Sequence, residues 1–203
     1  MAIYTRIKQR RLDQIRPLLE LDILSEHVVL AGGSVSSIIN TELPVNDYDI
    51  FFLKYQHLGA VSPVSSYQPV LDVKNKLEEQ GYSLVFNCPA GHLYTYKKDG
   101  VKIQLITKNT YKDVNELLYT FDFVPCMCAY YNGELVIPLK QTIKCCKFKT
   151  LEVHYISYPT SSLRRLLKYH KKGFYPTNQC LKKIAYDINN TSLNDHNMAF
   201  YFD

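Results

Sequence analysis

The chain has 203 residues, 46% apolar and 21% charged, with a formal net charge of +5. That is enough chain for one well-buried core, with room for a helical appendage. The composition excludes a disordered or fibrous protein, and no apolar run approaches the length of a membrane span. The N-terminal stretch Met1 to Arg16 is basic and lacks the apolar centre of a signal peptide. A cytoplasmic protein with no membrane partner is expected. Six cysteines, among them Cys126, Cys128, Cys145 and Cys146, lack the Cys-x-x-Cys spacing of zinc sites. They read as buried, reduced thiols.

In chain order, a helix is expected over residues 11–25, near Pro17. Val28 to Leu30 is an apolar, β-branched run suited to a buried strand. Gly32-Gly33-Ser34 follows, then a short helix over 34–41 with Ser34 as its N-cap. Pro44 and Asn46 interrupt the chain before a strand from Asp47 to Leu53. Residues 55–69, with Gly59, Pro63 and Pro69, read as a surface loop, and Leu71 to Gln80 as a helix stopped by Gly81. Strands are expected at 82–86, 93–97 and 101–106, the last two joined by an Asp99-Gly100 hairpin. Asp113 is placed to cap a short helix to Tyr119, and Asn132-Gly133 to join two further strands. Over 161–172, Leu163, Leu166, Leu167 and His170 share one helical face. Those leucines are expected to pack on the sheet domain. The last twenty residues, rich in Asn and Asp, carry no motif.

Two segments carry chemistry. The Gly32-Gly33-Ser34 turn at the start of a helix offers free N–H groups to a phosphate. Asp47 and Asp49, two apart on a strand, project to one face, and paired carboxylates there call for a cation. Mg²⁺ is the natural one, since it is held by one or two carboxylates together with substrate phosphates. Charge is unevenly spread: between Lys140 and Lys183 there are 11 Lys and Arg against one acid, Glu152. A second basic cluster comprises Arg6, Lys8, Arg10, Arg11 and Arg16. Such fields favour nucleic acid or nucleotide phosphates. Several of the seventeen tyrosines, Tyr55 and Tyr169 among them, have the chemistry to stack on bases.

The joint arrangement, an apolar strand, Gly-Gly-Ser, a short helix and Asp-x-Asp, resembles the nucleotidyltransferases of the DNA polymerase beta superfamily. Val101 to Ile106, Phe121-Asp122-Phe123 with Ala129 to Leu135, and Leu163 to Tyr169 with Gly173-Phe174 are similar to the head and neck of CCA-adding enzymes and bacterial poly(A) polymerases. The resemblance covers roughly residues 25 to 175. It implies an α+β fold, a nucleotidyltransferase-type mixed β-sheet flanked by helices. It also implies a division into a head, 1–150, and a basic helical neck-like segment, 151–203.

Several departures stand out. Gln104 occupies the strand position where a further acid is expected. Tyr119 and Thr120 replace arginines, and Ser36 and Ser37 replace an Arg-Asp pair. The helical body and tail that grip tRNA are expected to be missing.

The resemblance implies Mg²⁺-dependent transfer of NMP from an NTP to a hydroxyl acceptor, RNA or tRNA foremost, through the basic C-terminal region. The implied catalytic residues are Asp47 and Asp49, which bind the metal, and Asp122 as the candidate third acid. Gly32, Gly33, Ser34, Arg164, Arg165 and Lys168 are the nucleotide-binding candidates. Two alternatives stand beside this. One is a catalytically inactive module that binds nucleotide or docks on a protein partner in an assembly. The other is a minimal transferase that modifies tRNA or a partner protein.

Overall fold

A computed structural model describes residues 3–5, 9–54 and 64–191. Arg6, Lys8 and Tyr55, most of the expected 55–69 loop and nearly all of the Asn/Asp-rich tail lie outside the described residues. The strands of the main sheet are β1 (Ile3–Thr5), β2 (Val28–Ala31), β3 (Tyr48–Leu53), β4 (Ser83–Asn87), β5 (Leu93–Lys98), β6 (Val101–Tyr111), β7 (Ala129–Tyr131) and β8 (Glu134–Ile137). They lie in the order β1-β8-β7-β2-β3-β6-β5-β4. The β3–β6 pair is parallel and every other pair in this sheet is antiparallel. The fold is therefore mixed α+β, a sheet flanked by helices, as expected.

Before β2 lie α1 (Gln9–Leu12), a 3-10 turn at Asp13–Ile15, and α2 (Arg16–Leu19). The expected helix over 11–25 is thus shorter and broken, because Pro17 has no N–H to continue the preceding turn and instead sits in the first turn of α2. Helix α3 (Gly33–Ile39) begins one residue early. Its cap is Gly32 (φ 86°, ψ −144°), a conformation that glycine alone adopts cheaply, so Ser34 is an internal residue and not the cap. Helix α4 (Gln68–Glu79) buries Val70, Val73 and Leu77 and stops at Gly81.

Both hairpin turns form as their residues require, with positive φ at Asp99, Gly100, Asn132 and Gly133. Asp113 Oδ1 accepts from the Glu116 N–H at 2.9 Å and caps α5 (Val114–Leu118). Helix α6 is Lys140–Phe148. Strand β9 (Thr150–Leu151) pairs in parallel with β10 (Tyr175–Pro176), between which lies α7 (Pro159–Lys171); α8 (Asn178–Asn189) follows.

The even residues of β3, Tyr48, Ile50 and Phe52, join α3 and α4 residues in the largest apolar cluster. A second cluster, on the other face, packs Val29, Ala31, Phe51 and Leu53 against α5. A third joins Leu43, Phe123 and Cys126 to Leu151, Leu166, Phe174, Cys180 and Ile184, and so fixes α7 and α8 to β9 and to the segment before β7.

Helix α7 turns a different face inward from the one its leucines suggested. Leu166 is buried, but Leu163 and Leu167 are exposed. The buried positions are Ser161, Ser162 and Leu166, with Arg165 and Tyr169 half-buried beside them. Small serines allow close approach, and polar bonds to Asp122 fix the rotation of the helix. All six cysteines are free and buried, as their spacing suggested. Among the described residues, no helix is long and apolar enough to cross a membrane.

Candidate active site

Sheet alternation assembles the site. Asp47 immediately precedes β3, and Asp49 and Phe51 follow on the same face. The register sets Asp49 beside Ala31 of β2 on one side and Gln104 of β6 on the other. Asp49 also lies against the Gly32 turn: a Cβ built on Gly32 would meet its Oδ2 at 3.6 Å. The Gly32 N–H is committed to the Cys128 carbonyl at 3.0 Å. The N–H groups of Gly33 and Ser34 find no backbone acceptor among the described residues.

A cavity of about 490 Å³ opens over this face, between the sheet and α7. Gly32, Gly33, Asp47, Asp49, Gln104, Asp122, Arg165, Lys168, Tyr169 and Lys172 all contribute to its wall. Phe51, Tyr111 and Phe121 form an aromatic flank, with Phe51 tilted against Phe121 at 5.5 Å and edge-on to Tyr111 at 6.4 Å. Lys108 and Tyr158 also line the cavity, with Lys108 Nζ donating to the Tyr158 hydroxyl at 3.2 Å.

The two aspartates have different surroundings. Asp47 Oδ2 is paired with Lys102 at 3.0 Å and Lys168 at 3.5 Å. Burial alone would raise the pKa of Asp47, but Lys168, Lys102 and Lys172 outweigh it and hold the group below its usual value. Asp49 makes no ion pair among the described residues. Burial, and then the neighbouring Asp47, push its pKa up to about 7. With its side-chain amide nitrogen turned toward the acids, Gln104 donates to Asp49 Oδ1 at 3.3 Å and Asp47 Oδ2 at 3.2 Å. The opposite orientation would set its oxygen against two carboxylates.

Asp122 does not complete a third-acid set. Its Oδ2 accepts from Ser162 Oγ and Arg165 Nε, both at 2.8 Å. No group of three or more His, Cys, Asp or Glu side chains arranged to hold a metal occurs among the described residues. Asp122 instead ties α7 to the segment before β7.

The remaining candidates divide. Arg165 and Lys168 reach the cavity, whereas Arg164 lies on the exposed face of α7, away from its wall. Gly32 and Gly33 line it, but Ser34 is buried behind them, with its hydroxyl unpartnered. Ser36, at the position of the family's arginine, donates to the Pro125 carbonyl at 2.7 Å and packs α3 against the turn at Val124–Cys126. Tyr169 accepts a hydrogen bond from the Cys126 thiol at 2.8 Å and presents its hydroxyl to Gly33. Burial raises both pKa values, so both groups stay protonated.

Sequence reasoning passed over Lys102 and Lys172. The signals were present: Lys102 is two residues from Gln104 on a strand, and Lys172 is four from Lys168 along the helix. Elsewhere the basic run is locally neutralised, with Lys149 paired to Glu42 at 3.1 Å and Lys183 to Asp187 at 2.6 Å.

Fold and site together define a nucleotidyltransferase-type fold with α7 beside its carboxylate-bearing face. Solved structures with this fold include a CCA-adding enzyme in complex with ATP, with a TM-score of 0.66, 15% identity, and 96% of this chain covering 48% of that one. The Thermotoga maritima CCA-adding enzyme complexed with tRNA matches with a TM-score of 0.62 and 15% identity, over 94% of this chain and 47% of that one. A tRNA nucleotidyltransferase complexed with a primer tRNA and an incoming ATP analogue gives 0.53 and 17%, over 81% and 47%. This chain spans about half the length of the structures it matches, and at these identities the likeness establishes the fold alone.

No curated protein matches the chain. Residues 5–145 match the family model of Gad2, described as Gabija anti-defense 2 family protein. The chain belongs to the Gabija anti-defense 2 family.

Proposed function

We propose that the chain transfers a nucleoside monophosphate from an NTP to a hydroxyl acceptor, an RNA end foremost: the hydroxyl oxygen attacks the α-phosphorus, its proton is lost, and pyrophosphate leaves. We propose further that this transfer serves the anti-defence role in its family's description. The observation that carries this reading is Asp47 and Asp49 side by side in the wall of one cavity with Lys168, Lys172 and Arg165. Similar structures were solved in complex with ATP, with CTP and with tRNA, which supports the same donor and acceptor classes.

The donor set fits a divalent ion: two adjacent carboxylates, one of them without an ammonium of its own. Asp47 and Asp49 would hold Mg²⁺, which when bound supplies a positive charge that polarises phosphate oxygens. The rest falls to the chain's own residues. Lys168 can turn its partly exposed ammonium from Asp47 to phosphate, and Lys172 stands in the same cavity wall. The free N–H groups of Gly33 and Ser34 donate to the same anion. Phe51, Tyr111 and Phe121 offer apolar surface to a base. Catalysis then comes from positioning and fixed charge, with the head at 1–150 supplying the acids and Lys102, and the neck-like segment at 151–203 supplying Arg165, Lys168 and Lys172. The exposed Lys140, Lys144 and Lys147 of α6 add to the positive charge that would attract an RNA acceptor.

The test is incubation with labelled NTPs and total RNA, with protein fractions run alongside. Label should enter RNA with wild type and not with Asp49→Asn. Full transfer by both Asp47→Asn and Asp49→Asn would overturn the reading. A second reading, nucleotide binding without transfer, is favoured by Gln104 and by Lys102 on Asp47. It predicts NTP binding by calorimetry with no label transferred by wild type.

A further inference from the structure

The two aspartates are surrounded asymmetrically, and that asymmetry bears on how many metal ions the site takes. A two-metal centre needs enough anionic ligands to hold two ions a few ångström apart, each shared with substrate oxygens. Here Asp47 Oδ2 already carries Lys102 Nζ at 3.0 Å. Lys102 reaches it from β6, a neighbouring strand of the same sheet, with a side chain that is only 28% exposed. Lys168 adds a second ammonium at 3.5 Å from the more exposed surface of α7. Gln104, level with Asp49, contributes an amide where a third carboxylate would stand. Asp122 is held by Arg165 and Ser162. Asp49 makes no direct ion pair among the described residues; Lys168, Lys172 and Lys102 act on it only from a distance.

We propose that Lys102 is a positioning residue that takes the place of one metal ion, so that the site binds a single divalent cation per nucleotide, on the Asp49 side. This rests on the NTP-binding reading above. Lys168 stands on a more exposed helix and is free to follow the phosphates. Lys102, rooted in the sheet, stays with Asp47 and keeps that carboxylate oriented without a second ion.

Equilibrium dialysis of the full chain, freed of metal with EDTA, tests this with Mn²⁺ and a non-hydrolysable ATP analogue. The quantity measured is Mn²⁺ bound per analogue bound. Wild type should hold one. Lys102→Met combined with Gln104→Glu should hold two, because the ammonium is gone and a carboxylate is added. Lys102→Met alone should change Mn²⁺ affinity on the order of tenfold, as loss of a group bonded to a metal ligand does. Two ions in wild type would overturn the inference and leave the NTP-binding reading standing. A double variant that folds, by its melting curve, yet still holds one ion would overturn the assignment to Lys102. If no analogue is retained by wild type, the NTP-binding reading fails, and the inference with it.

Discussion

On one face of β3, Tyr48, Ile50 and Phe52 are sealed in a cluster with α3 and α4; on the other, Asp47 and Asp49 open with Phe51 into the cavity beneath α7. The same six residues therefore serve two opposed physical regimes. The sealed face gains from every apolar atom removed from water. The open face holds two like charges close together and half out of water, an arrangement that costs stability unless cations arrive from elsewhere. Those cations come from residues 102, 168 and 172, remote from the acids in sequence. The stability of the domain and the chemistry of its site are thus separable by substitution along a single strand.

The sharpest break in this comparison is Phe52→Ala. It should destabilise the protein by about 4 kcal/mol, read by urea unfolding, because it empties a fully buried site. Asp49→Asn, three residues away, should leave the unfolding midpoint at or above wild type while NMP transfer falls by more than about 100-fold. Parallel losses of stability in both variants would erase the distinction between the faces.

Arg165→Ala should cost about 2 kcal/mol, because it leaves Asp122 unpaired in a partly buried place. Its effect should appear as increased proteolysis at the α7 junction as well as a lower melting temperature. Lys168→Met should weaken NTP binding about tenfold by calorimetry with little change in melting, since this lysine is partly exposed. The smallest effect belongs to Asp113→Ala. Losing the α5 cap should cost about 1 kcal/mol and leave nucleotide binding unchanged.

Much of the site was legible in the chain because it depends on short-range rules. Period-two alternation put Asp47 and Asp49 on one face with no knowledge of the fold. The Gly32-Gly33 turn, the Asp99-Gly100 and Asn132-Gly133 hairpins and the Asp113 cap follow from the backbone angles and side-chain bonds those residues favour. The misreadings fall where tertiary contacts overrode a local preference. Ser34 is a good cap, but Gly32 adopts the required angles and starts the helix earlier. Leu163 and Leu167 make a convincing apolar stripe. Yet Ser162 and Arg165 bond to Asp122, and Leu166 enters the third cluster, so the helix is rotated to leave both leucines in water.

Sequence by itself determined the strand–glycine turn–helix–acid strand core, the pairing of the two aspartates and the basic character of the segment that follows. Periodicity and turn chemistry act over a few residues, so they can be read from order alone. Only the tertiary structure decided that Asp122 is bound to α7 and not to the acid pair, and that Gln104 and Lys102 stand beside Asp47. It also decided that Lys168 and Lys172, rather than Arg164, reach the cavity. Those outcomes depend on the register of β6 against β3 and on the rotation of α7, which are set by contacts between residues far apart in the chain.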